Sequence, residues 1–128
     1  LATNTALPEQ VAGVARQKSR ILSVKFRPGA ALTGTATDFM TVIVRKRTKA
    51  APATQVALIS FAVDTVTTDD VAAFGEKDLM VAAYKNAAAE TAFDFEAGAV
   101  VTVEVTKSTA TGMTLPVSTL DMIFEPRT

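Results

Sequence analysis

From Ser19 onward, apolar side chains recur at period two in runs of strand length, about every 15 residues, separated by polar, Gly-containing or Pro-containing connections. No long helical run alternates with them, so the crossovers that a parallel sheet needs have nothing to be built from. The pattern predicts an all-β domain: an antiparallel β-sandwich of jelly-roll type, with an N-terminal arm and one short helix. At 128 residues the chain is the size of one domain, divided here into an arm (1–18) and a sandwich (19–128).

The strands read as follows. In the first, Arg20, Leu22, Val24 and Phe26 share one face and Ile21, Ser23 and Lys25 the other, and Pro28-Gly29 ends the run as a turn pair. After a small, polar loop over 30–37, Phe39 to Arg47 resumes the alternation. Residues 54–63 are nearly continuously apolar, which suits a strand covered on both faces. The connection over 65–78 is expected to hold the short helix, capped by Thr68 or Asp69 and stopped at Gly75. Leu79 to Ala89 reads as helix by its alanines or as strand by its alternation. Thr91 to Phe95, Val100 to Thr106 and Val117 to Phe124 are strands, the last with Ser118, Leu120, Met122 and Phe124 on one face. Residues 107–115 form a turn. In the arm, Leu7, Val11 and Val14 are spaced for a weak helical turn that Pro8 would start and Gly13 would weaken, so the segment is expected to be extended or partly helical. Because the sequence opens on Leu1, whatever preceded it is expected to have been removed by processing or trimming.

Composition removes whole classes of chemistry. With 48% hydrophobic and 20% charged residues the chain is expected to fold, and no apolar run approaches the roughly 20 residues of a membrane-spanning helix. There is no Cys and no His, which excludes a thiolate nucleophile, a disulfide, a Cys/His zinc site and an imidazole base. The serines lack a G-x-S-x-G context, and Ser23 with Lys25, a Ser-Lys pair two apart on a strand, reads more simply as two side chains on one face. Asp69-Asp70, Glu76 with Asp78, and Asp94 with Glu96 are acidic pairs without EF-hand spacing, better suited to capping and turns than to a cation. With no Trp and a single Tyr there is no stacking platform for sugars or bases. A non-enzyme without cofactor or metal is expected, with no nucleic-acid or membrane partner.

Charge is balanced at 13 basic and 13 acidic residues, but unevenly placed. Residues 1–64 hold nine Lys/Arg against three acids, a net of +6, and residues 65–128 are the mirror, at −6. Either strands from the two halves interleave and neutralise one another, or subunits meet head to tail. The densest cluster, Arg45, Lys46, Arg47 and Lys49, is a candidate electrostatic contact or simply the solvated end of an edge strand.

Asp94 to Glu125, DFEAGAVVTVEVTKSTATGMTLPVSTLDMIFE, resembles the closing hairpin of tailed-bacteriophage capsid decoration proteins, the cement and head-fibre base domains. Gly98 leads the strand, Gly112 lies in the Gly/Thr-rich turn, Leu115-Pro116 make the step, and Val117 to Phe124 is the final strand. Residues 19–44 are similar in style to the first hairpin of that group, and Ala99 departs from it, standing where the Asp of a Gly-Asp turn is expected. The resemblance implies a non-enzymatic virion protein on the outer capsid surface, assembled in the host cytoplasm, partnered by the major capsid protein and often homotrimeric. It also implies that the arm grips the shell or a neighbouring subunit, with Leu7, Val11, Val14, Arg16 and Lys18 as the candidate contacts. The alternative class is a small β-sandwich ligand-binding module, carbohydrate-binding or adhesin-like, against which the poverty in aromatics counts.

Overall fold

A computed structural model describes residues 7–64, 69–86, 90–108 and 116–127. Eight strands make two antiparallel sheets that face each other as a β-sandwich. They are β1 (Leu7–Val14), β2 (Ser19–Pro28), β3 (Met40–Arg47), β4 (Gln55–Ala62), β5 (Lys77–Asp78), β6 (Asp94–Phe95), β7 (Val100–Lys107) and β8 (Ser118–Pro126). The first sheet has the order β1-β7-β3-β4. In the second, β8 pairs along the whole of β2, while β5 and β6 pair with opposite ends of the other side of β2. The chain changes sheet five times, between β1 and β2, β2 and β3, β4 and β5, β6 and β7, and β7 and β8.

The core is the apolar half of each alternation. Val101, Val103 and Val105 of β7 and Met40, Val42 and Val44 of β3 face Val24 and Phe26 of β2, with Phe61, Phe93 and Phe95 filling the wider spaces. Phe61 packs between Phe26, at 6.0 Å between ring centroids, and Tyr84, edge-on at 4.9 Å. The Tyr84 hydroxyl donates to the buried Asp69 carboxylate at 2.6 Å.

Bulges shift the phase that the alternation suggested. One between Ile21 and Ser23 turns Ile21 inward and leaves Leu22 half exposed, so the single-face reading of Arg20, Leu22, Val24 and Phe26 is corrected to Val24 and Phe26 inward and Arg20 and Leu22 outward. Another, between Val44 and Arg45 on the β3–β4 ladder, buries both Leu58 and Ile59, which explains the unbroken apolar run without making β4 a central strand. β1 carries two, and these correct the reading of the arm: over Leu7–Val14 it is a paired edge strand of the first sheet. Its apolar residues sit three and four apart because each bulge adds a residue, a spacing that imitates a helix. The helix expected over 65–78 is absent from its described part, 69–78, which forms turns, a bridge at Val71 and β5; its expected cap Thr68 lies outside the described residues, as does most of the 107–115 turn. The helical turn is instead a 3₁₀ turn at Glu90–Phe93.

One flank of the sandwich is closed. The free edge of β4 is covered by the segment around Lys85, where Ser60 donates its N–H to the Tyr84 carbonyl and Asn86 to that of Leu58, both at 2.9 Å. Leu32 and Val71 exchange a second pair of backbone bonds nearby. The opposite flank, between β1 and β8, has no such cover among the described residues.

Candidate docking surface

The open flank is a groove between two strand edges. Gln10 to Gly13 line it together with Ser118 to Phe124, and further along Gly13 to Gln17 meet Phe124 and Pro126, so β1 and β8 run the same way along its two rims. The wider part has a volume of about 490 Å³ and the narrower about 250 Å³. Its floor is apolar, with Val101 and Val103 of β7 beneath Leu120, Met122 and Phe124 of β8. Phe124 stacks edge-on against Phe95 at 5.6 Å, which fixes the end of β8. Val11 and Val14, which line the groove, and Ile123 of β8 are 64, 56 and 57% exposed, a concentration of large apolar side chains on the strands of one flank. The two rims differ in kind. β1 is broken by two bulges and carries Pro8, both devices that blunt an edge, whereas β8 is paired to β2 over nine residues and offers a long outer edge.

The cations singled out in the sequence divide by face. Arg45 and Arg47 point outward from β3 into a polar ladder across the first sheet. Arg45 donates to Glu104 at 2.6 Å, and Arg47 forks onto Glu9 of β1 at 2.9 and 2.6 Å, with the Thr102 hydroxyl donating to the same carboxylate at 2.7 Å. Those bonds hold the Glu9 carboxyl down at about 2 and raise the Arg47 guanidinium. Lys46 follows Met40, Val42 and Val44 on the inward face, where its ammonium donates to the carbonyls of Ala92 and Asp94, both at 3.0 Å, and lies over the Phe95 ring. Lys49 is exposed, its stem laid against Gly98, whose positive φ of 91° serves the turn into β7. Of the expected arm contacts, Leu7 lies opposite Val105 in the β1–β7 register, Val11 and Val14 face solvent, and Arg16 and Lys18 are exposed in the connection at the end of the groove. The structure therefore gathers Val11, Val14, Arg16 and Lys18 on the open flank and separates them from the β3 cluster, most of which is engaged within the domain.

The opposed charges of the two halves meet inside the molecule. Arg20 forks onto Asp94 at 2.5 and 3.1 Å and reaches Glu90 at 3.2 Å, which raises the guanidinium and lowers the carboxyl. Lys25 and Arg27 both approach Glu76, and with Arg45 on Glu104 all of these join residues below 65 to residues above. Lys25, near Ser23 in the sequence, has its ammonium 3.3 Å from Glu76. No group of three acidic, His or Cys side chains positioned for a metal occurs among the described residues, and no helix there is long and apolar enough to cross a membrane. Sequence reasoning missed Ile123, although an isoleucine on the wet face of an alternating strand is itself a signal. It also missed Phe74, 70% exposed at the tip of a loop and held at φ 60° by its N–H on Pro28 and by Arg27 on its carbonyl. No protein-family model, no curated protein and no solved structure matches this chain.

Proposed function

We propose that the chain is a non-enzymatic virion structural protein, a jelly-roll-type domain that binds the outer surface of a phage head and stabilises or decorates it, with the major capsid protein as partner and a homotrimer as the working unit. The observation that supports this reading most is the open flank: two strand edges, an apolar groove and exposed Val11, Val14 and Ile123 on a domain whose β3 arginines are engaged internally. A surface of that kind gains affinity by burying apolar area and by strand addition, and many copies on a lattice multiply modest contacts through avidity. Arg16 and Lys18 at the end of the groove supply charge for orientation.

Removing residues 1–18 is a poor test, because it takes away β1 and the Glu9 partner of Arg47. Val11→Asp, Val14→Asp and Ile123→Asp change exposed side chains and leave the core intact. Each variant is incubated with shells of the major capsid protein and pelleted, and light scattering gives the mass of the free chain. Loss of co-sedimentation with unchanged circular dichroism is the expected result. Co-sedimentation of the triple variant at the level of the parent overturns the assignment of this flank, and absence of binding by the parent overturns the capsid role.

A further inference from the structure

At the end of the sandwich where β1 turns into β2 and β6 into β7, the sheets part around a second cavity, a cleft of about 460 Å³. Its wall is partly apolar, formed by Phe95 and Ala99, and three cations border it: Lys18, Lys46 and Arg127. Two features mark it as built to receive something. Ser19 lines the cleft and is only 6% exposed, yet its hydroxyl has no hydrogen-bond partner among the described residues. Lys46 gives two of its three ammonium N–H groups to the carbonyls of Ala92 and Asp94, which leaves the third for the cleft. A part-buried hydroxyl and a part-buried ammonium with donors to spare are matched by an acceptor that carries negative charge.

The neighbouring acids limit how much charge. Asp94 is held by Arg20, Glu125 pairs with Arg127 at 3.6 Å in an exposed contact that a ligand would have to share, and Glu96 stands exposed at the rim, so the nearby carboxylates oppose a dianion while tolerating a monoanion. The volume suits a small organic molecule, and Phe95 offers its body an apolar wall. We propose that this cleft binds a small organic monocarboxylate, its acid group among Ser19, Lys46 and Arg127 and its apolar body against Phe95. The site lies at the end of the sandwich and adjoins the docking flank through Lys18 and Ser19, but Val11, Val14 and Ile123, on which the docking test rests, do not line it, so the two readings are tested by different variants.

The test is an amide NMR titration of the full chain with three probes, benzoate, acetate and inorganic phosphate. Benzoate is expected to give saturable shifts centred on Ser19, Lys46, Phe95 and Arg127, acetate the same pattern with weaker affinity, and phosphate the weakest. Ser19→Ala and Arg127→Gln are each expected to weaken benzoate about tenfold, the loss of one hydrogen bond to a charged group. Both leave the Lys46 ties to the second sheet in place, so the fold is preserved and spectra of the free variants check it. Absence of saturable shifts in the parent, undiminished benzoate affinity in the double variant, or tighter binding of phosphate than of benzoate each overturns the proposal.

Discussion

Replacing Arg47 with Met tests whether the basic cluster of β3 serves the fold or an outside partner. In the structure the guanidinium grips both oxygens of Glu9, and Thr102 adds a third bond, so the carboxyl is shifted from its usual 4.5 to about 2. A carboxyl depressed in this way contributes stability that is fully present above about 4.5 and is lost as the pH falls through about 2. Carbon-detected NMR of the glutamate carboxyls, followed from neutral to strongly acid pH, should show Glu9 titrating at about 2. In Arg47→Met the midpoint should return most of the way to 4.5, because the largest contribution comes from Arg47 and only the Thr102 bond and the weaker pull of Arg45 remain against desolvation. Amide exchange over β1 should quicken in the variant, since Glu9 is the side-chain tie between that edge strand and the centre of its sheet. A Glu9 midpoint near 4.5 in the parent, or one that Arg47→Met leaves in place, would falsify the assignment of Arg47 to this internal ladder and return it to the pool of surface contacts.

Three further perturbations follow from the packing. Phe61→Ala removes a fully buried ring held between Phe26 and Tyr84 and should cost about 3–5 kcal/mol in urea unfolding; a loss below about 1 kcal/mol would mean that the ring is not central to the core. Gly34→Ala places a methyl 1.6 Å from the Val63 carbonyl oxygen, a backbone atom that cannot swing aside, so a loss at or beyond the upper end of the roughly 1–3 kcal/mol of overpacking is expected, and near-neutral thermal stability would contradict the close approach of the two segments. Phe74→Gly relieves a left-handed conformation worth about 1–2 kcal/mol against a backbone entropy of about 0.5–1 kcal/mol, for a net gain of roughly 0.5 kcal/mol by thermal unfolding. A clear destabilisation would show that the exposed ring contributes packing the structure does not reveal.

Much of the sandwich was legible because a strand with one wet and one dry face writes period two into its residues. β3, β7 and β8 follow that rule closely, and all are where the alternation puts them. β1 was not legible as a strand, since two bulges within eight residues spread its apolar positions to helical spacing. The phase of β2 failed for the same reason at Leu22. The short helix failed differently: small residues and a Gly between Asp69 and Gly75 satisfy helix rules locally, but the chain there spends its bonds on Leu32 and Pro28 instead.

The candidate site was legible only in its parts. Val11, Val14, Arg16 and Lys18 could be picked out as a group near the start of the chain, but nothing local says that β8 lies alongside them. Arg47 meets Glu9 across 38 residues and Arg20 meets Asp94 across 74, so a cluster that looks free in the sequence turns out to be paired. Ser19 and Lys46 carry no motif at all and become a cleft only where the start of β2 meets the end of β3.

Residue chemistry settled the all-β class, the two-faced strands, the overall charge balance and the lack of any thiol or imidazole chemistry, because each depends on which side chains are present and how they alternate. Which flank is closed, which cations are already paired and where a cavity opens depend on register between strands far apart in the chain. Hydrogen-bond ladders set that register, and a single bulge reverses it, so these features came into being only when the two sheets closed on one another.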